Sequence, residues 1–259
     1  MAEPQTPEPQ TPEPNTGGPL VRLIGRTAFA APPDLPFTTD ADGGEALAEF
    51  AGRSIYRSWD RSNPATATNA GFLRHLIEVG HLSVLEHSTA TFYLQGVSRS
   101  ATQEMQRHRH FSFSQLSPRS APGAVVEPAV IAANPVLHQR FSDAVRAAQG
   151  AYAELLAGLQ KDTDDRPDGA LAGKQARQAA RAILPAGLST AFVVTGNFRT
   201  WRHFVGMRAT EAADVELRTL AVSLLRHLQS EAPHVFADFR ITTLADGTQT
   251  AASPLVGDG

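Results

Sequence analysis

The chain has 259 residues, 42% hydrophobic and 19% charged, with 23 basic residues against 26 acidic ones for a net charge of −3. That length suits one large domain or two small ones able to bury roughly 70–75% of the unfolded surface, and the lack of a basic excess argues against broad nucleic-acid binding. No apolar run reaches the 18 or so residues of a membrane span, and the N-terminus lacks the basic-then-apolar order of a signal peptide, so a cytoplasmic protein with no membrane association is expected.

Residues 1–19 carry the repeat Thr-Pro-Glu-Pro-Gln/Asn without an apolar face, which predicts a disordered tail leaning to polyproline II. The folded domain is expected over residues 20–259. A helix is expected from Glu45 to Arg57, and a second from Pro64, with Asn63 as N-cap, to Gly80 as its C′ glycine. Alternation toward Phe92 and Leu94 makes residues 88–95 a strand. Ser98 to Arg107 reads as a helix. Asn134-Pro135 opens a long amphipathic helix with Leu137, Phe141, Val145, Tyr152, Leu155 and Leu159 on its apolar side. A further helix, bearing Arg177 and Arg181 on one face, runs from Asp168 to Leu184 and stops at Pro185. The β-branched run from Thr190 to Thr195 reads as a strand, Trp201 to Leu228 as mostly helical, and Phe236 to Leu244 as a return to the sheet. Strands and helices interleave without a βαβ repeat. This favours an α+β fold, a single compact domain with a mixed sheet flanked by helices, over a doubly wound one.

The stretch Arg107-His108-Arg109-His110-Phe111-Ser112-Phe113-Ser114-Gln115-Leu116-Ser117-Pro118-Arg119 is the richest in chemistry. Guanidinium forks bind phosphate bidentately, hydroxyls and freed loop amides add donors, and the aromatics offer a face to a ring. The set suits a flat, multiply phosphorylated ligand. Its plain alternatives are a basic surface loop, or an RNA-binding segment stacking Phe111 and Phe113 on bases, which the near-neutral charge disfavours. Ser117 has no base arranged beside it and reads as a binder, not a nucleophile. His75, His81 and His87 are spaced by six, poor for a metal site on one helix, and no metal is expected. Arg177 reads as a solvated helix residue, and His110 and His227 as surface or satisfied core residues.

Arg-His-Arg followed by this serine spacing and Ser-x-Arg resembles the signature of the flavin-dependent thymidylate synthases. Further segments match in the same order: Gly80-His81-Leu82-Ser83 with Glu86-His87, then Arg181 before Ile183-Leu184-Pro185, then Asn197-Phe198-Arg199 with His203 and Met207-Arg208. The resemblance covers roughly residues 45–245. It implies C5 methylation of a uracil nucleoside monophosphate, dUMP to dTMP, with methylenetetrahydrofolate as carbon donor and FAD reduced by NADPH. It further implies a homotetramer with sites shared between subunits. FAD would be held by His81, Ser83, Arg107, His108, Arg109, Gln115, Asn197, Arg199 and His203. The nucleotide would meet Glu104, Arg107, Gln115, Leu116, Ser117, Arg119, Ser120 and Arg181, and Arg208 would be the catalytic cation facing the uracil ring. The chain has no cysteine, so it lacks the thiolate that C5 methylation of uracil otherwise uses, and hydride from a reduced flavin fits that gap.

Two positions depart from the family pattern. Ser120 stands where tyrosine usually follows Ser-x-Arg, and Ala212 stands where histidine usually follows the uracil-facing arginine by four. The first removes a ring beside the nucleotide, which motivates UMP as an alternative substrate in a nucleoside natural-product pathway. The second removes a polar contact near the flavin, which motivates a catalytically weak flavin- or nucleotide-binding paralogue.

Overall fold

The computed structural model describes residues 18–117, 123–161 and 169–256. All but the last two residues of the expected disordered tail, 1–19, lie outside the described residues. The chain sorts into two compact units, residues 19–95, 103–114 and 192–259 in the larger and residues 96–102 and 115–191 in the smaller. Secondary structure mixes helices with two small sheets, the α+β class expected.

A four-stranded sheet runs in the order β1-β2-β4-β3, formed by β1 (Leu20–Arg26), β2 (Thr89–Ser98), β3 (Ser112–Gln115) and β4 (Ser189–Asn197). β1 runs antiparallel to β2, from Leu20 opposite Gln95 to Arg26 opposite Ala90, with an irregularity between Leu23 and Gly25. Strict alternation along β2 and β4 buries Ala90, Phe92, Leu94, Phe192 and Val194 on one face. Over that face pack the helices α7 (Phe198–Arg208) and α8 (Val215–Glu231). Trp201 of α7 meets Phe92 edge to face at 5.1 Å, and its indole N–H donates to the Ala90 carbonyl at 3.1 Å. The bond satisfies the one polar atom of a fully buried side chain.

Asp214 separates the two helices that the sequence read as one stretch. Its carboxylate accepts from the Glu216 and Leu217 amides at 2.9 and 3.4 Å and starts α8 afresh. The stretch expected to be one helix from Pro64 is likewise divided. Asn63 caps only a 3₁₀ turn, Pro64–Thr66, and Thr68 caps α2 (Asn69–Glu78) by accepting from the Gly71 amide at 3.1 Å. Gly80 follows α2 with φ +76°, the left-handed conformation that suits glycine. α1 (Gly43–Tyr56) is held to α2 through buried Glu49, whose carboxylate takes Arg53 at 2.7 Å, Arg61 at 2.9 Å and the Asn69 amide at 2.9 Å. Arg53 also covers the Phe72 ring at 4.2 Å. With the Thr39 hydroxyl at 2.7 Å, four donors on one carboxylate offset its removal from water.

Phe236 to Leu244 does not return to the main sheet. β5 (Arg240–Thr243) pairs antiparallel with β6 (Gln249–Ala252) in a separate hairpin. The turn Asp246-Gly247 explains the difference, because Gly247 at φ +81° reverses the chain before it can travel further. α3 (Arg99–Gln106) buries Met105 and ends one residue before the expected Arg107.

In the smaller unit α4 (Ala129–Ala132) precedes α5 (Pro135–Lys161), which packs against α6 (Gly169–Ala180) and the 3₁₀ turn Arg181–Ile183. Asn134 caps α5 by accepting from the Val136 and Leu137 amides. The apolar side read from the sequence is not covered by the described chain. Tyr152 is buried, whereas Leu137, Leu155 and Leu159 are exposed together with Val136. Periodicity reports which residues share a face and says nothing of what covers it. α5 is the longest helix here, and no helix among the described residues is long and apolar enough to cross a membrane.

Candidate functional site

The signature leaves α3 as a short loop and then becomes a strand. Phe111 is buried between Trp201, at 4.5 Å between ring centroids, and Phe204 at 5.7 Å. Phe113 leans on Phe192. Phe111 is therefore a core anchor with Phe113 half-buried beside it, and both rings stack on the protein's own aromatics. The alternation Phe-Ser-Phe-Ser was the signal for β3, obscured by the polar residues around it. With the aromatics turned inward, the loop of Arg107, His108 and Arg109 is fixed at the surface.

In the larger unit five predicted residues meet. Arg208, the last residue of α7, donates from Nε to His108 Nε2 at 2.9 Å and places Nη2 3.6 Å from Glu104. Glu104 also pairs with the exposed Arg107 at 3.1 Å. The His108 ring lies edge-on to Phe204 at 5.1 Å and to His203 at 5.8 Å. Burial, with the positive Arg208 beside it and then His203 and Arg107, pushes the His108 imidazole down to about 4 despite the opposing pull of Glu104. It is neutral near pH 7 and can accept the guanidinium hydrogen.

A second group lines a cleft of about 310 Å³ in the same unit: His81, Ser83 and Arg199, walled by Ile55 and Tyr56. Arg199 pairs with Glu86 at 2.6 Å. The exposed Ile55 and Tyr56 were not picked out from the sequence, since nothing in their spacing marks them. Asn197 plays a structural part: its side-chain oxygen accepts from the Thr200 amide at 2.8 Å and caps α7, aiming Arg199 and His203 outward.

In the smaller unit the Gln115 amide donates to Thr102 at 3.1 Å, and the Leu116 amide donates to the Ala191 carbonyl at 2.8 Å. Ser117 is exposed, and Arg181 opens the 3₁₀ turn after α6. Arg119 and Ser120 lie outside the described residues, and with them the structural basis of the UMP alternative. No group of three metal-ligating side chains occurs among the described residues.

The site is a polar surface loop set on an aromatic floor, with guanidiniums paired to carboxylates beside a neutral imidazole, on an α+β protein. A family model described as thymidylate synthase complementing protein matches residues 38–234. Proteins named flavin-dependent thymidylate synthase are similar over 238 residues, 91% of this chain and 95% of each relative. They include those of Mycolicibacterium vanbaalenii at 57% identity and Mycobacterium tuberculosis at 58%. That of Mycobacterium marinum is 56% identical over the same span. The chain belongs to the flavin-dependent thymidylate synthase family.

Proposed function

We propose that this protein converts dUMP to dTMP, taking the carbon from methylenetetrahydrofolate and using FAD reduced by NADPH. The observation that carries the reading is the Arg208–His108–Glu104–Arg107 cluster, which sets a cation from the end of α7 against the signature loop. The donor set fits a flavin dinucleotide. Guanidiniums at Arg107 and Arg199 are more than half exposed, Arg109 is exposed beside them, and His81, Ser83 and Arg199 border an open cleft. In this reading His81, Ser83, Arg107, Arg109, Arg199 and His203 hold FAD, and Asn197 aims Arg199 and His203 from the cap of α7. Once bound, FAD supplies the hydride that a chain without cysteine cannot replace with thiolate chemistry.

The chain's own residues bind and polarise. Ser117, Arg119 and Arg181 take the nucleotide phosphate, with Gln115, Leu116 and Ser120 beside them. Arg208 faces the uracil, and a fixed cation beside N3 and its carbonyl favours the anionic base, which raises electron density at C5. Glu104 is the shared counter-charge of Arg107 and Arg208 and offsets their mutual repulsion. Fed methylenetetrahydrofolate, FAD and NADPH without oxygen, the protein is expected to add about 14 mass units to dUMP, one methyl group. An unchanged nucleotide would sink the reading.

We also infer a cytoplasmic homotetramer with sites shared between subunits. The family resemblance supports it, and the exposed Val136, Leu137, Leu155 and Leu159 of α5 supply apolar surface for association. Light scattering of the purified protein is expected to give four times the chain mass.

A further inference from the structure

We propose that His108 is the positioning residue of Arg208: its imidazole takes the Arg208 Nε–H and thereby aims the two Nη groups of the guanidinium at the uracil. The inference rests on Arg208 being the uracil-facing cation. It adds an action through Arg208 to the flavin contact that resemblance alone assigns to His108.

The geometry allows one direction of donation. Arginine carries no acceptor, so at 2.9 Å the Arg208 Nε donates and His108 Nε2 accepts, which puts the single ring proton on Nδ1. The acceptor is fixed in space, because Phe204 packs on the ring at 5.1 Å and His203 at 5.8 Å. Phe204 is itself fully buried. The charged and titratable groups that face His108 are Arg107 and Glu104 at the end of α3, and Arg208 and His203 on α7. Burial, with the Arg208 and Arg107 guanidiniums beside it, keeps the ring neutral, so the acceptor survives at working pH.

An arginine side chain is long and free to rotate about its stem. With Nε engaged, that rotation stops and the Nη hydrogens face one direction. Glu104, 3.6 Å from Nη2, stands on one flank. The site therefore meets its ligand with the cation already oriented, and orientation is the contribution that a loose side chain forfeits.

Three variants separate the hydrogen bond from the packing of the ring. His108→Phe keeps a ring against Phe204 and loses the acceptor. His108→Gln loses the ring but carries a carbonyl oxygen near where Nε2 sits, and His108→Asn places it short, near Nδ1. With saturating FAD, NADPH, methylenetetrahydrofolate and dUMP, kcat is expected to fall about 10- to 100-fold in the Phe and Asn variants, the scale of a misaligned catalytic group. The Gln variant should recover much of that loss. Equal rates in Phe and Gln, or Phe the faster, would show that packing alone matters and would overturn the proposal.

The imidazole ¹⁵N spectrum gives a readout independent of turnover. The parent is expected to show His108 protonated at Nδ1 at neutral pH, with an Nε2 resonance that moves in Arg208→Met. A proton on Nε2, or a resonance indifferent to Arg208, would refute the hydrogen bond. If the parent makes no dTMP but the spectrum is as expected, the reaction is wrong while the hydrogen bond that holds Arg208 stands. If the parent is active and His108→Phe is equally fast, the reaction stands and the positioning is wrong.

Discussion

Gly196→Ala tests the claim that the aromatic floor holds the signature in place. Gly196 lies in β4 beneath Phe111, and a Cβ there would come 2.3 Å from Phe111 Cε1 and 2.5 Å from Cδ1. Ordinary contact begins at 3.4 Å, so the ring must withdraw by roughly 1 Å. It has nowhere to go. Trp201 stands 4.5 Å away between centroids and Phe204 5.7 Å, and both are fully buried. Overpacking of this kind costs about 1–3 kcal/mol, while replacing glycine returns about 0.4–1 kcal/mol through the unfolded chain. A net loss of about 1–2 kcal/mol should lower Tm by about 2–8 °C in a protein of this size. Because Phe111 leads directly back to Arg109 and His108, dTMP formation should fall at temperatures where the variant is still folded. Scanning calorimetry and the dUMP assay on the same sample measure both effects. Phe111→Leu in the variant background should restore part of the loss, since it removes the ring edge that clashes. A Tm within about 1 °C of the parent with full activity would refute the packing argument.

Three further outcomes follow from the same geometry. Buried Arg202 of α7 forms a two-pronged ion pair with Asp238 at 2.6 and 2.8 Å; Asp238→Asn should cost about 3–5 kcal/mol by leaving that guanidinium unpaired. Burial pushes the Asp238 carboxyl up, but Arg202 and Ser253 outweigh it and hold it below 3.8, so its stabilisation is present above that pH and lost below it; acid unfolding curves of parent and variant should converge there. His108 shows the same sign in a higher pH window. Its pKa falls from 6.5 to about 4 on folding, so the unfolded chain binds the proton first; the parent should lose stability relative to His108→Gln as pH drops between these values, which urea titrations at successive pH values would show. Arg107 is 71% exposed and its pair with Glu104 adds little stability, so Arg107→Ala should leave Tm within about 1 °C while weakening FAD binding in a fluorescence titration.

The sequence alone determined the features that rest on local rules. Asn134 and Gly80 mark chain reversals and caps because their backbone and side-chain chemistry acts within a few residues. The alternation of Phe92 and Leu94 and of Phe192 and Val194 marks buried strand faces for the same reason. The signature Arg107 to Arg119, with Arg199 and Arg208 downstream, carried the family in its order and spacing. Tertiary structure decided what depends on contacts between distant residues. Phe111 and Phe113 are floor and not ligand surface because Trp201 and Phe192 arrive against them from α7 and β4. Asp214 and Thr68 divide helices that periodicity joined, and the turn at Gly247 diverts Arg240–Thr243 into its own hairpin. The pairing of Arg208 with His108 is the furthest from local rules. They lie 100 residues apart, and only the packing of α7 against the signature loop brings a guanidinium and a neutral imidazole to 2.9 Å. Hydrogen bonds are short-ranged and directional, so no spacing in the sequence encodes them until the fold has set both partners in place.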